Sequence, residues 1–260
     1  MEGTIEIIPQ KSAQRIAEFC LDIGTFLLSS GAHSGRVRTN LERIVNSWGM
    51  DIHLQPYFRG LLVSVRYKDD PENVYTSYRS SPPHVVRLAN LTHISRLSWK
   101  IAHEHLSLEE AQNLLQQIKT KASYPVWMVA IAIGISCSGL CLFSDGDWLN
   151  AVVTFFAALT GYFIQVSMIR LRFNPMLAIT SAAFTTTLIT GGGALLNLGL
   201  YPETAMATAV LYLVPGVPLI NVVIDLIEGY LTSSVNRALF AGFILLSIAA
   251  GMTISIGLLG

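Results

Sequence analysis

The residues best suited to chemistry lie in the apolar C-terminal half of the chain. Asn221 and Asp225 are spaced i, i+4, so a helix presents them on one face, and Gly229 extends that face by a turn. A carboxylate inside an apolar helix is costly and marks a candidate site. We therefore predict that Asp225 carries a proton or binds a cation. The alternative places Asp225 at an interface, solvated or paired with Arg237, with Glu228 a solvated neighbour.

A helix break precedes these residues in the run Leu213-Val-Pro-Gly-Val-Pro-Leu-Ile-Asn221. Pro215 and Pro218 each remove a backbone donor and clash with the preceding turn, and Gly216 lies between them. In lipid, the freed carbonyl groups need protein, water or an ion as partners. Discontinuous helices of this kind often line a transporter's substrate site. The alternative is a proline kink that only shapes packing.

A hydroxyl-rich segment from Thr180 to Thr190 leads into three consecutive glycines. Hydroxyl groups can bond between helices or line a polar path, and glycine allows helices to approach closely. Thr186 and Thr190 are accordingly predicted to line part of a transport path, with ordinary helix packing as the alternative.

A second group of chemically suggestive residues lies near the N-terminus, in Ser29-Ser-Gly-Ala-His-Ser-Gly-Arg36. Serine and histidine together suggest hydrolysis, but no strand precedes the serines, so the nucleophile-elbow context is missing. Free amide groups at a helix start can instead hold an anion. Gly31, His33, Ser34 and Arg36 are predicted to contact an anionic metabolite, with a simple capped turn as the alternative. No catalytic residue, metal or cofactor is expected.

The first 122 residues read as an α+β domain. Apolar residues at helical spacing predict helices over 11–29 and 34–48, and period-two alternation then predicts three short strands between 52 and 78. Two further helices are predicted over 85–103 and 107–121, the second opened by a Ser107–Glu110 capping box. The predicted order is ααβββαα.

Residues 123–260 read as a transmembrane domain. The chain is 52% hydrophobic and 13% charged, with zero net charge, which gives no sign of a nucleic-acid partner. After Tyr124 the only basic residues are Arg170, Arg172 and Arg237. Five stretches approach the ~20 residues needed to cross a bilayer. The predicted spans are 126–143, 148–168, 176–199, 204–227 and 238–259.

The basic residues predict the orientation of these spans. Lys119 and Lys121 precede the first span, Arg170 and Arg172 follow the second, and Arg237 lies between the fourth and fifth. The expected topology has the N-terminal domain in the cytoplasm and the C-terminus outside. No secretory signal is read in the first residues, in keeping with that orientation.

Several motifs together resemble the threonine/serine exporter (ThrE) family, in its short two-subunit form. They are Leu27-Leu-Ser-Ser-Gly-Ala32 with Val37, Tyr124-Pro-Val-Trp-Met-Val-Ala130, Ala151-Val-Val-Thr-Phe-Phe-Ala157, and Leu213 to Asn221 with Asp225, Gly229 and Arg237. The resemblance covers nearly the whole chain, and the last stretch is its most specific part.

The resemblance implies a multi-pass protein of the bacterial inner membrane that exports small carboxylate metabolites. The two-subunit form is associated with succinate-like dicarboxylates, and the long form with threonine and serine. The chain lacks a further membrane region of the long form, so a second small membrane subunit of the YjjB type is implied. Members often have an acidic residue at the position of His33, which argues against hydrolysis there.

The leading hypothesis is therefore an exporter subunit, not an enzyme, for succinate-like dicarboxylates first and threonine or serine second. It is expected to form a homo- or hetero-oligomer in contact with membrane lipid. Two hypotheses of another class remain open. One is a membrane-anchored hydrolase whose N-terminal domain is active, and the other is a non-catalytic scaffold whose N-terminal domain senses a metabolite.

Overall fold

The computed structural model describes residues 9–70, 72–83, 85–122 and 124–259, with side chains from residue 13 onward. The chain forms two compact units. The first unit runs to Ala122 and also contains Val217–Ala238, and the second comprises the remaining segments, 123–216 and 239–260. The segment that begins at Val217, within the Pro-Gly-Val-Pro run, thus groups with the N-terminal part of the chain.

The N-terminal part of the first unit has the predicted order ααβββαα, which is confirmed. Its elements are α1 (Pro9–Ser29), α2 (Ser34–Ser47), β1 (Met50–Tyr57), β2 (Gly60–Tyr67), β3 (Val74–Ser80), α3 (Leu88–Glu104) and α4 (Leu108–Lys119). The three strands form one antiparallel sheet in the order β1-β2-β3. Leu54 of β1 pairs with Val63 of β2, which pairs with Ser77 of β3.

The core of this unit lies between the sheet and the helices. α1 packs on β2 and β3, and α2 packs on β1. On the inner face of β2, Leu61, Val63 and Val65 are fully buried. The predicted capping box at α4 is confirmed, with Ser107 and Glu110 satisfying each other's backbone amides. Both features follow from local patterns, an apolar face at helical spacing and a Ser-x-x-Glu start.

The start of α3 differs from the prediction. The helix begins at Leu88 rather than at Val85, because the amides of Val85 and Arg87 donate to the carbonyl groups of Ser29 and Ser30. These hydrogen bonds hold residues 85–87 beside the end of α1 and outside the helix.

The C-terminal half contains five longer helices and one short one. They are α5 (Val126–Phe143), α6 (Trp148–Arg170), α7 (Pro175–Leu195), α8 (Pro202–Ala209) with a 3₁₀ turn at Leu211–Leu213, α9 (Gly216–Ile227) and α10 (Leu231–Leu259). α10 begins seven residues before the predicted span, so Arg237 lies inside a helix.

Membrane-spanning helices are present, although the structure does not confirm the number five. Within the described ranges, α5, α6 and α10 are long and apolar enough to cross a bilayer. A fourth span results if α8 with its 3₁₀ turn and α9, bent by 63° at the break, count as one. Only 22% to 28% of each candidate's most apolar window is buried. Such apolar, outward-facing helices are typical of protein surfaces in lipid.

α7 has a different character from these spans. Its small and hydroxyl-bearing residues are buried in the second unit, among them Ala178, Ala182, Thr186 and Thr190. α10 approaches it closely, since a Cβ atom on Gly251 would lie 2.3 Å from the Thr180 carbonyl oxygen. A helix with this surface is suited to the inside of a bundle.

The contact at Gly251 yields a stability prediction. The Gly251→Ala variant should lose about 1–3 kcal/mol of stability, because the new methyl group meets α7 backbone that cannot rotate away. The matched control is Gly257→Ala in the same helix, where a Cβ atom meets nothing within 4 Å. Thermal unfolding of the purified full-length chain in detergent measures both variants. Equal midpoints would show that the close approach is not a constraint.

Candidate functional site

Two helix junctions of the first unit meet at the candidate site. At the first, α1 ends and Gly31 takes φ +94°, which turns the chain so that the Ala32 amide donates to the Leu27 carbonyl at 3.0 Å. His33 then caps α2, its Nδ1 accepting from the Arg36 amide at 3.3 Å. The second junction is the turn between α9 and α10, where Gly229 takes φ +84°.

A buried ion pair joins the two junctions. The Asp225 carboxylate accepts a hydrogen bond from the Ser34 amide at 2.7 Å and another from Arg237 Nε at 3.1 Å. The relative exposure of Asp225 is 0% and that of Arg237 is 2%. Arg237 also donates from Nη2 to the Ala32 carbonyl at 3.4 Å. The pair thus satisfies a backbone donor and a backbone acceptor of the α1–α2 junction.

Two further side chains fasten α9 and α10 to the same unit. Asn221 Nδ2 donates to the Gly31 carbonyl at 2.8 Å, and Ser233 Oγ donates to the Pro56 carbonyl at 2.8 Å. Since an unpaired buried polar group is costly, these hydrogen bonds favour this position of α9 in the first unit over positions that would break them.

Glu228 and His33 form the more exposed edge of the site. Glu228 Oε2 accepts from the Gly35 amide at 3.1 Å and lies 3.2 Å from His33 Nδ1. The same nitrogen accepts from the Arg36 amide only when it carries no proton, whereas a bond to Glu228 requires one. His33 Nδ1 can therefore serve one partner at a time. Glu228 is exposed, as the solvated interpretation expects, and it also binds the α2 N-terminus.

The two groups of candidate residues thus form one cluster, which we call the junction cluster: His33, Ser34, Asp225, Glu228 and Arg237. Its carboxylates occupy the amides of Ser34 and Gly35, the donors expected to hold a metabolite anion. Asp225 is paired with Arg237, which was the alternative prediction from the sequence, but it is buried and not solvated. The Ser34 hydroxyl is buried and lacks a partner in the described part of the chain.

Metal-ligand types are present in the junction cluster. One ligand atom each from His33, Asp225 and Glu228 lie within 4.8 Å of one another. A cation there would share Asp225 with the Arg237 guanidinium, which opposes it electrostatically. The expectation of no metal stays a prediction.

The arrangement for hydrolysis is not seen. Ser29 Oγ donates to the Phe26 carbonyl, and no serine hydroxyl bonds to His33 among the residues described. A hydrolytic site needs a nucleophile within hydrogen-bond reach of its base.

α9 has its polar side inward and its apolar side outward. Asn221 and Asp225 are buried, whereas Ile220, Val223 and Ile227 are 62%, 54% and 80% exposed. A helix in water has the opposite arrangement. The outer face of α9 is therefore suited to lipid or to an apolar partner.

The predicted helix break is confirmed, and the glycines and prolines have local explanations. Val214 is extended (ψ 127°), as expected before a proline, and α9 begins at Gly216. Pro218 lies in the first turn of α9, where a missing amide donor costs little. Gly229 allows the turn in which the Tyr230 amide donates to the Asp225 carbonyl at 2.8 Å.

Thr186 and Thr190 belong to the second unit and are packed inside it. Thr186 Oγ1 lies 3.4 Å from the Ala157 carbonyl oxygen and 3.2 Å from the Tyr212 hydroxyl, and Thr190 Oγ1 donates to the Thr186 carbonyl at 3.1 Å. Their role in a path stays a prediction.

A multi-pass helical bundle with a polar cluster beside a broken helix is typical of membrane transporters. The family model described as "Putative threonine/serine exporter" matches residues 18–259, and the chain belongs to this family of transporters. It is therefore a membrane transport protein and not an enzyme.

Relatives agree with this family assignment. The chain is 30% identical to "Probable succinate transporter subunit YjjP" of Escherichia coli K12, over 96% of this chain and 98% of that protein. It is equally identical to the protein of that name in Klebsiella aerogenes, over 96% of each chain. Identity to a "Probable threonine/serine exporter" of Mycobacterium tuberculosis is 21%, over 94% of this chain but 46% of that protein. No solved structure matches.

The buried pair yields a stability prediction. Asp225→Asn should destabilise the protein by about 3–5 kcal/mol, because it leaves the Arg237 charge buried without its counterion. The double variant Asp225→Asn/Arg237→Gln should regain much of that loss, because it removes both charges.

Thermal unfolding of the purified full-length variants measures this coupling. Asp145→Asn is the control, since it removes an exposed carboxylate with no ion-pair partner in the described part of the chain. A double variant no more stable than Asp225→Asn would contradict the ion-pair account.

Proposed function

We propose that this chain is a subunit of an exporter for small carboxylates, succinate-like dicarboxylates first and threonine or serine second. The names of the 30%-identical relatives support the first substrate class, and the family description supports the second. The junction cluster supports a site that handles carboxylates and protons, since it pairs Arg237 with Asp225 and brings Glu228 and His33 within 4.8 Å of the Asp225 carboxylate.

The observation that carries the proposal is the buried Asp225–Arg237 pair, with Asp225 in the helix that follows the break and Arg237 in the helix after that. In the proposed cycle, a proton that enters the site neutralises Asp225. Arg237 then lacks its counterion and becomes available to a substrate carboxylate, for which guanidinium is a strong partner. Loss of the proton restores the pair and releases the substrate.

The residues of the break would permit this exchange. Asn221 would turn from the Gly31 carbonyl to the substrate, and the backbone around Pro215, Gly216 and Pro218 would supply unpaired groups. The positive N-terminal end of α9 would favour an anion. Thr186 and Thr190 would line a further part of the path.

The proposed setting is the bacterial inner membrane, with five spans, the N-terminal domain of residues 1–122 in the cytoplasm and the C-terminus outside. The positions of Arg170, Arg172 and Arg237 support this orientation. α7 would be the third span, enclosed by the others, which would account for its buried threonines.

A second small membrane subunit of the YjjB type would complete the transporter. The relatives of matching length are themselves named as subunits. The M. tuberculosis relative has more than half of its length outside the match, so a longer relative carries a region that a separate subunit would supply here. The outward apolar face of α9 is a candidate for its contact.

Efflux from cells tests the transport proposal. Cells that express this chain with its partner subunit should export succinate, with threonine and serine measured in parallel. Asp225→Asn and Pro215→Ala should each reduce efflux at least tenfold at matched expression, a loss equal to about 1.4 kcal/mol or more.

The matched control for this experiment is Asp145→Asn, which should export at the wild-type rate. The Asp225→Asn/Arg237→Gln variant should remain inactive even where its stability is regained. Wild-type efflux by Asp225→Asn and Pro215→Ala would show that the site is assigned wrongly.

Reporter fusions test the topology. Alkaline phosphatase fused after residue 260 should be active, and green fluorescent protein there should be dark, because the C-terminus is placed outside. Fusions after Arg172 should give the reverse result. The opposite pattern at the C-terminus would mean an even number of spans.

A further inference from the structure

We infer that the first unit carries a separate binding site for a small dicarboxylate, in a pocket between α2 and α3 whose two cationic ends are Arg36 and Arg43. The inference rests on the proposed function only for its choice among anions. The site lies outside the ion pair to which transport is assigned, so the two can be tested apart.

The pocket has a volume of about 330 Å³ and a polar lining. Arg36, Thr39 and Arg43 line it from α2, and Ser95 lines it from α3. Such a volume accommodates a four-carbon dicarboxylate with some water.

Arg43 is held in place by neutral groups. Its Nη1 donates to Ser98 Oγ at 2.7 Å, and its guanidinium stacks 3.9 Å from the centre of the Trp99 ring. Ser98 is itself oriented, since its hydroxyl donates to Asn40 Oδ1 at 2.8 Å. Partial burial removes water from the guanidinium and lowers the pKa of Arg43. No carboxylate pairs with Arg43 among the residues that the structure describes. A positioned cation without an anion is ready to bind one.

Arg36 also lacks an anionic partner. Its side chain has no hydrogen bond or ion pair within the ranges that the structure describes. Arg38 of the same helix is a contrast, because its Nε bonds to Glu42 at 2.6 Å. On the exposed side of α2, Arg38 is thus neutralised by a carboxylate. On the pocket side, Arg36 and Arg43 are not.

The spacing of the two arginines selects the ligand. They are seven residues apart on one helix, so their Cα atoms lie about 10 Å apart along the axis. A dicarboxylate with a two-carbon spacer can place one carboxylate at each guanidinium, whereas a monocarboxylate or a phosphate reaches only one. Thr39 and Ser95 add polar side chains to the lining.

The pocket ends at the junction cluster, because His33 and Glu228 also line it. The Glu228 carboxylate already has partners at this end, since its Oε2 accepts from the Gly35 amide at 3.1 Å and lies 3.2 Å from His33 Nδ1.

Calorimetric titration of the purified full-length chain in detergent, without its partner subunit, tests the inference. Succinate should bind in a 1:1 ratio, and Arg36→Gln and Arg43→Gln should each weaken binding about tenfold or more, as expected for a lost charge-assisted contact. Arg38→Gln is the matched control and should bind like wild type. Acetate, threonine and inorganic phosphate should bind at least tenfold more weakly than succinate.

The possible outcomes separate this site from the transport proposal. Equal affinity for succinate and phosphate, or equal loss in Arg38→Gln, would overturn the dicarboxylate site. The proposed site would also be overturned if succinate binding were lost in Asp225→Asn but kept in Arg36→Gln. Succinate efflux without binding at this pocket would overturn the binding site and support the transport proposal. Binding at the pocket without efflux would support the binding site and contradict the transport proposal.

Discussion

The buried ion pair between Asp225 and Arg237 is the interaction on which the rest of the first unit's site depends. Two opposite charges with almost no exposure are tolerated only when each also meets its remaining partners. Here the Ser34 amide and the Ala32 carbonyl supply them. The pair therefore requires that α9, the start of α10 and the α1–α2 junction lie together, and every other contact of the cluster follows from that arrangement.

The helix break allows α9 to lie against the α1–α2 junction, as the buried ion pair requires. A continuous helix through residues 204–227 would keep one direction, whereas the extended Val214 lets α9 begin anew at Gly216. α9 can then direct Asn221 and Asp225 toward the junction and its apolar residues outward. Gly229 completes the arrangement by turning the chain into α10, which returns Arg237 to the same carboxylate.

Local patterns were sufficient for much of the fold. Helical periodicity, alternation and the Ser107–Glu110 box predicted the ααβββαα order, and the prolines predicted the break at Gly216. The joining of Asn221 to Gly31 and of Asp225 to Ser34 was not predictable from one sequence. These partners are about 190 residues apart, and only the folded chain determines which buried donor meets which acceptor. Spacing alone likewise gave no sign of the pocket between α2 and α3, although Arg36 and Arg43 share a helix face.

The central step of the proposed cycle is that protonation of Asp225 exchanges the internal counterion of Arg237 for a substrate carboxylate. The most direct measurement is succinate flux through the chain and its partner subunit in proteoliposomes, with and without an imposed proton gradient. We expect the gradient to accelerate flux in the wild-type protein and to have no effect in Asp225→Asn. A flux that ignores the gradient in the wild type, or that still responds to it in Asp225→Asn, would contradict the claim.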